Sequence, residues 1–324
     1  MRRRDLITGV AGTAALWPFV ARAQQASRTY RIAYLALAGT KDATIVKERL
    51  NELGYQEGKN LTFDLRTANG AIEALPKIAA DLVKTDPDVV ITGFGTAAAK
   101  AAQAATTTIP VVFSNVGDPI GSGIVQSLSR PGANVTGLAA QAAEISGKRL
   151  ELLNQFVPGI HTVAVLEEPT APFTLVALPL LQKAAKQRGQ PLAICDARSS
   201  DEVESSLSAA SKAGASGLVV LETPVLISLR QRIVDLAKKL RLPAIFSVRD
   251  FVDAGGFLCY GPDDRELYRR AAELADKILK GEKPAEIPVE QATKFKLIVN
   301  LKAAKALGLA IPPTSLAIAD EVIE

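Results

Sequence analysis

From Tyr30 onward, short β-branched runs alternate with alanine- and leucine-rich stretches of helical period, and this rhythm runs through the chain twice. Such alternation lays each strand parallel to its neighbour, with the intervening helix crossing over a sheet face. The first pass predicts strands over 31–37, 60–66, 88–92 and 109–114, with helices over 44–53, 75–84 and 96–105. The second predicts strands over 162–166, 191–195, 217–221 and 243–247, with helices over 148–156, 174–187, 201–212 and 226–240. A strand at 257–261, a helix over 264–280, a strand at 296–300 and a short helix at 301–307 remain. This tail is too long for a linker and too short for a domain. The expected fold class is α/β, with two doubly wound parallel-sheet lobes and a ligand crevice at the carboxyl ends of their strands.

The residues before Tyr30 read differently. Arg2, Arg3 and Arg4 precede a weakly apolar run from Leu6 to Val20, and Ala21-Arg22-Ala23 supplies the small residues a signal peptidase accepts. The run is short for a membrane span and is broken by Gly9, Gly12 and Pro18. Residues 1–23 are therefore expected to be an export signal cleaved after Ala23. Arg3-Arg4-Asp5-Leu6-Ile7 resembles a twin-arginine signal, and the general secretory route stays open beside it. The formal charge of +4 then falls to +1, because residues 1–23 carry a net +3. A near-neutral remainder has no electrostatic case for nucleic acid or an anionic membrane surface. With no Cys near the cleavage site, the expectation is a soluble periplasmic monomer. Cys195 and Cys259 are the two cysteines, open to a disulfide or to a pair of buried thiols.

Function should sit in the loops after strands. In the first half these hold Gly39 and Thr40, Gly93-Phe94-Gly95-Thr96, and Ser114-Asn115 leading to Asp118. In the second they hold Glu167 and Glu168, Glu222 and Thr223, Phe246 and Ser247, and Asp250; Tyr260 ends the late strand. Gly93, Gly95 and Ala98 fit a dinucleotide fingerprint with Asp118 as the acidic partner, although that fingerprint normally opens the first βα unit. A tight turn with free amides at a helix start explains the same residues. Asp118-Pro119 is a common helix start as well as a candidate contact, and Asp263 and Asp264 share that ambiguity. His161 is the only histidine and precedes a strand on the side away from the crevice. No nucleophile elbow, zincin, Walker or His/Cys metal motif is present in the sequence. The reading is therefore of a protein that is not an enzyme, with no metal and no cofactor.

The blocks Glu52-Leu53-Gly54-Tyr55-Gln56-Glu57-Gly58-Lys59-Asn60, Gly117-Asp118-Pro119-Ile120-Gly121-Ser122-Gly123 and Arg130-Pro131-Gly132-Ala133-Asn134-Val135-Thr136-Gly137 carry a resemblance. Tyr260-Gly261-Pro262-Asp263 and the ending Leu307-Gly308-Leu309-Ala310-Ile311-Pro312-Pro313 extend it. Together they are similar to the ABC-transporter substrate-binding family that includes tryptophan- and tyrosine-binding members. The resemblance implies a type I periplasmic binding fold with three interlobe crossings, near 137–141, 259–262 and 289–294. Lobe 1 would then be 28–138 plus 262–290, and lobe 2 would be 141–259 plus 294–324. It also implies capture of a small polar or amino-acid-like solute, aromatic ones included, by hinge closure, and delivery to an ABC permease in the inner membrane. Family members often carry Asn-Pro where Glu167-Glu168-Pro169 stands here. In such a cleft, helix N-termini near Thr96 and Asn115 would hold a carboxylate. Asp118, Glu167 or Glu222 would accept from an ammonium or hydroxyls, and Phe94, Phe246 or Tyr260 would form an apolar wall. Two alternatives stay open: an exported NAD(P)-dependent oxidoreductase, and a solute-sensing partner of a membrane receptor.

Overall fold

The computed structural model describes residues 28–324, so the expectations on residues 1–23 lie outside the described residues. Strands β1 (Tyr30–Ala36), β2 (Leu61–Thr67), β3 (Val89–Phe94), β4 (Val111–Val116) and β5 (Val135–Ala139) alternate with helices α1 (Lys41–Glu52), α2 (Leu75–Val83) and α3 (Thr96–Ala105). The chain continues through α4 (Ser146–Phe156), β6 (Thr162–Glu167), α5 (Pro172–Gln187), β7 (Leu192–Asp196), α6 (Ser200–Lys212) and β8 (Ala215–Val220). Then come α7 (Pro224–Ser228), α8 (Arg230–Lys239), β9 (Ala244–Phe246), α9 (Arg249–Asp253) and β10 (Leu258–Pro262). The tail comprises α10 (Asp264–Leu279), β11 (Glu290–Gln291), β12 (Phe295–Asn300), α11 (Leu301–Ala306), α12 (Pro313–Leu316) and β13 (Glu321–Ile323).

Two sheets result, ordered β11-β5-β4-β3-β1-β2 and β13-β12-β10-β9-β8-β6-β7. The first is parallel throughout, and in the second only β10 and β12 pair antiparallel. All of β4 and nearly all of β3 and β8 are buried, which is why they are continuous Val/Ile-rich runs rather than alternating ones. The strand order reverses between β1 and β3 in one sheet and between β6 and β8 in the other. At those two points the loops leave toward opposite sides of each sheet and open a crevice.

The tail is divided between the sheets. Helix α10 buries Leu267, Ala271, Ala272, Leu274, Ala275 and Ile278 against β3, β4 and β5, a helical-period stripe with arginines on its outer face. Arg49 and Glu273 at 2.7 Å, with the Tyr55 hydroxyl donating to Asp276 at 2.8 Å, tie α10 to α1 and the turn after it. Ala303 and Ala304 of α11 belong instead to the core of the second sheet.

Several elements depart from the sequence-based expectation. Strand β5 is unpredicted because Gly137 interrupts its apolar pattern. A Cβ there would collide with the Phe113 carbonyl, so the glycine lets β4 approach closely at a register shift. The helix expected over 226–240 is two helices, since Leu229 (ψ 8) closes a tight turn on Leu226 and restarts the helix in a new direction. After β4 the chain forms turns rather than a helix: Asp118 Oδ1 accepts from Ile120 N (3.0 Å) and Gly121 N (2.8 Å), and Gly123 at φ 72 prevents propagation. Cys195 and Cys259 are separate buried thiols, on β7 and β10, which stand four strand spacings or about 19 Å apart in the sheet. His161 is exposed at the entry to β6.

Candidate functional site

The crevice between the sheets holds two adjoining compartments of about 480 Å³ and 700 Å³, and Phe94, Pro224, Val248, Pro262 and Asp264 border both. The smaller is lined mainly by apolar groups, with Leu37, Leu75, Ala97 and Ala101 from the first lobe and Ala171, Pro172 and Phe173 from the second. The two lobes touch around it. A Cβ on Gly117 would lie 2.6 Å from the Phe173 ring, and one on Gly95 would lie 3.0 Å from Pro224. On the far side, Lys41 Nζ of the first lobe pairs with Asp250 Oδ1 of the second at 3.0 Å.

The first-lobe wall is made by backbone. Gly95 takes φ 100 at the N-cap of α3, a conformation that L residues rarely adopt, and offers no side chain to cap the helix. Gly95, Thr96 and Ala97 border the cavity, so the first-turn amides and the positive end of the helix dipole face it. Gly93 is glycine for another reason: a Cβ there would strike Asp42, whose buried carboxylate accepts from Ala43 N at 2.9 Å. Steric and turn requirements thus account for both glycines of the fingerprint without a nucleotide. Asn115 donates from Nδ2 to Asp264 Oδ1 at 2.8 Å.

The second-lobe wall is made by side chains. Glu168, 6% exposed, accepts from Thr223 Oγ1 at 2.6 Å through Oε2, and Thr223 also caps α7 through Leu226 N. Glu222 at the end of β8 is wholly buried and accepts from Ser247 N and from Ser247 Oγ (2.7 Å). Arg149 Nη1 donates at 3.2 Å to Oε2, the oxygen that also accepts from Ser247 Oγ. Burial pushes the Glu222 carboxyl up, and the Arg149 guanidinium opposes that shift. Because its oxygens are occupied, Glu222 forms the floor of the site rather than an open acceptor. Back on the first-lobe side, Asp264, half-buried at the start of α10, is pushed up to about 7 by burial, against the lowering bond from Asn115.

The structure brings Phe94, Gly95, Thr96, Asn115, Glu168, Glu222, Thr223 and Ser247 together around the smaller compartment. Gly39, Thr40 and Asp250 border the larger one. Six residues fall elsewhere. Gly93 sits against Asp42 and Tyr34 and borders neither compartment. Phe246 is fully buried and stacks on Phe251 at 4.4 Å in the second-lobe core. Tyr260 is half-buried against the second-lobe core and stacks on Phe295 at 6.0 Å, outside both compartments. Ser114 is buried and donates to the Thr92 carbonyl at 2.5 Å. Asp118 is committed to its own turn. Glu167 ends β6 opposite Asp196 of β7, and burial and that neighbour push it up to about 7. It faces the neighbouring strand, and Glu168, one residue on, faces the cavity.

Phe173 and the buried Arg149 are components that sequence reasoning missed. Phe173 follows Pro172 at a helix start, and Arg149 carries no local signal within its helix. Asp264, which the sequence left open between a helix cap and a ligand contact, borders both compartments.

A family model for ABC transporter substrate binding proteins matches residues 38–323. The tyrosine-binding protein of Clostridioides difficile (strain R20291) is 29% identical over 261 residues, which is 80% of this chain and 74% of that protein. The crystal structure of a conserved domain protein from Vibrio cholerae O1 biovar El Tor is 28% identical and superposes with a TM-score of 0.86 over 91% of this chain and 100% of that one. The structure of an ABC domain in complex with L-Trp from Streptococcus pneumonia, 24% identical, superposes with a TM-score of 0.83 over the same shares.

Proposed function

This chain belongs to the ABC transporter substrate-binding protein family, and from that premise we propose that its cleft captures an α-amino acid with a large apolar, preferentially aromatic, side chain. Capture of a small solute for a membrane transporter is the work of the family; the solute class is the new part. The observation that carries it is the opposition of two walls. Uncapped amides of α3 stand on one side, the Glu168 carboxyl group stands on the other, and apolar side chains fill the space between. A ligand carboxylate is stabilised at a helix N-terminus, an ammonium by a carboxylate, and a ring by Phe94 and Phe173. Each lobe holds one end of such a ligand, so only the occupied cleft favours the closed arrangement over the open one. The names of the tyrosine-binding relative and of the L-Trp complex agree with this class. Export with cleavage after Ala23, a periplasmic location, a monomeric state and docking on an inner-membrane permease complete the proposal.

The test is a thermal-melt panel on protein lacking residues 1–23, with aromatic and aliphatic L-amino acids, sugars and nucleosides, after unfolding and refolding to strip any solute carried over. A ligand at 100 times its Kd adds about 2.7 kcal/mol to stability, a readily measured rise. The expected result is a selective rise with L-tyrosine, L-tryptophan or L-phenylalanine. Trp17 is the only tryptophan in the sequence, so emission from added L-tryptophan reports its binding with no protein background. A rise with sugars or nucleosides and none with amino acids would overturn the solute class.

A further inference from the structure

Arg149 is the largest fully buried side chain among the described residues and borders neither compartment, yet two of its three hydrogen-bond partners line the cleft. Its Nη1 donates to Glu222 at 3.2 Å, and its Nη2 donates to the Ala142 carbonyl at 2.5 Å and to Ser146 Oγ at 3.4 Å. Ala142 and Glu222 both line the smaller compartment, as does Ser247, which Glu222 holds through two hydrogen bonds. Ala142 follows Gln141, which sits at φ 52, a left-handed turn just beyond β5 where the chain passes from the first sheet to α4 of the second. One guanidinium therefore clamps the exit of an interlobe crossing to the ends of β8 and β9.

Stability does not explain a buried guanidinium here. Desolvating an ion pair offsets most of its attraction, and apolar replacements of similar volume are commonly neutral or stabilising. Arg149 Nε also lies buried without a hydrogen-bond partner, an arrangement poor for stability alone. A rigid planar fork is the group that can hold two acceptors in fixed relation, which the point charge of a lysine cannot.

We infer that Arg149 is a positioning residue for solute capture: it fixes the Glu222–Ser247 wall of the cleft relative to the Ala142 crossing, so that the wall is preformed when a ligand arrives. This rests on the proposal that the smaller compartment is the capture site. Preorganisation of this kind raises affinity by removing an ordering cost at binding.

The test compares wild type with R149K, which keeps a charge opposite Glu222 and loses the fork to Ala142. Native-state amide exchange is read at Ser247 and over 142–146, together with the melting temperature and the Kd for L-tyrosine. The expected result is exchange at least tenfold faster at those amides and slower or unchanged elsewhere in the second lobe, a melting temperature within about 5 °C of wild type, and a Kd at least tenfold higher. If R149K does not fold, R149M/E222Q, which removes both charges and keeps an acceptor for Ser247, takes its place with the same expectation. Wild-type exchange at Ser247 with wild-type affinity in the folded variant would overturn the inference, as would uniform loosening across the lobe. If wild type itself fails to bind L-tyrosine, the proposed solute is at fault, and the exchange comparison, which needs no ligand, still decides the role of Arg149.

Discussion

At the switch point of the first sheet the cleft wall is backbone: Gly95 at φ 100, then the amides of Thr96 and Ala97 at the start of α3, with Phe94 beside them. At the equivalent point of the second sheet it is side chain, Glu168 held by Thr223 and Glu222 held by Ser247 and Arg149. The strand order is the same in both lobes up to the fourth strand, so the loops alone create the difference. A wall of amides is selective for an anion and indifferent to its shape. A wall of locked carboxylates is selective for a cation or hydroxyl and is costly to leave unpaired. Placed face to face, the two suit a dipolar ligand better than a neutral or singly charged one.

The largest expected effect comes from breaking the second wall at its floor. E222A leaves Arg149 as an unpaired buried charge and should remove about 3–5 kcal/mol from the second lobe, read by urea denaturation. A loss under about 1 kcal/mol would mean that the pair is hydrated and the wall far less rigid than described. Substituting the cleft-facing acceptor comes next. E168Q keeps size and hydrogen-bonding capacity but gives up the charge, and a bond to an ionised group is worth roughly 1.5–3 kcal/mol, so affinity for an amino acid should fall about 10- to 150-fold by calorimetry. The matching change at the neighbouring residue, E167Q, should leave affinity unchanged, because Glu167 faces Asp196.

A third expectation concerns pH. Asp264 titrates near 7 in the folded chain, above its ordinary value, so the folded state holds the extra proton in between. Stability of the ligand-free protein should therefore fall as pH rises from about 4 to about 7, and because Glu167 is pushed up to about 7 as well, D264N should lessen that slope and D264N/E167Q should lessen it further. The smallest effect is at the exposed Lys41–Asp250 pair across the lobes. D250N should weaken binding by no more than about fivefold, and less at high salt.

The parts that were legible in the sequence are those where local pattern and tertiary role coincide. The β4 run opens on Val111, Val112 and Phe113 because the strand is buried on both faces, and that short β-branched run marks it as a strand. Gly95-Thr96 reads as a turn into a helix, and it is one. Where tertiary contact overrides local pattern, the reading failed. Gly137 hides β5 because its small size answers to Phe113 on the neighbouring strand. Phe246 looks available at a strand end and is instead covered by Phe251 from α9, a helix too short to show periodicity. Glu167 and Glu168 are chemically alike in sequence, and only the end of β6 decides which one turns to the cavity. Arg149 is the extreme case, since no local signal distinguishes a buried arginine from the solvated ones on other helices.

The central claim is that one lobe holds the anionic end of the solute and the other its cationic end. Calorimetric titration with L-tyrosine, with tyramine, which lacks the carboxylate, and with 3-(4-hydroxyphenyl)propionate, which lacks the ammonium, tests it most directly. The account predicts that L-tyrosine binds and that both truncated ligands bind at least tenfold more weakly. It further predicts that E168Q narrows the gap between L-tyrosine and the propionate while leaving the gap to tyramine in place. Equal affinity for all three ligands would contradict it, because the ring alone would then carry binding and the opposed walls would have no part in recognition.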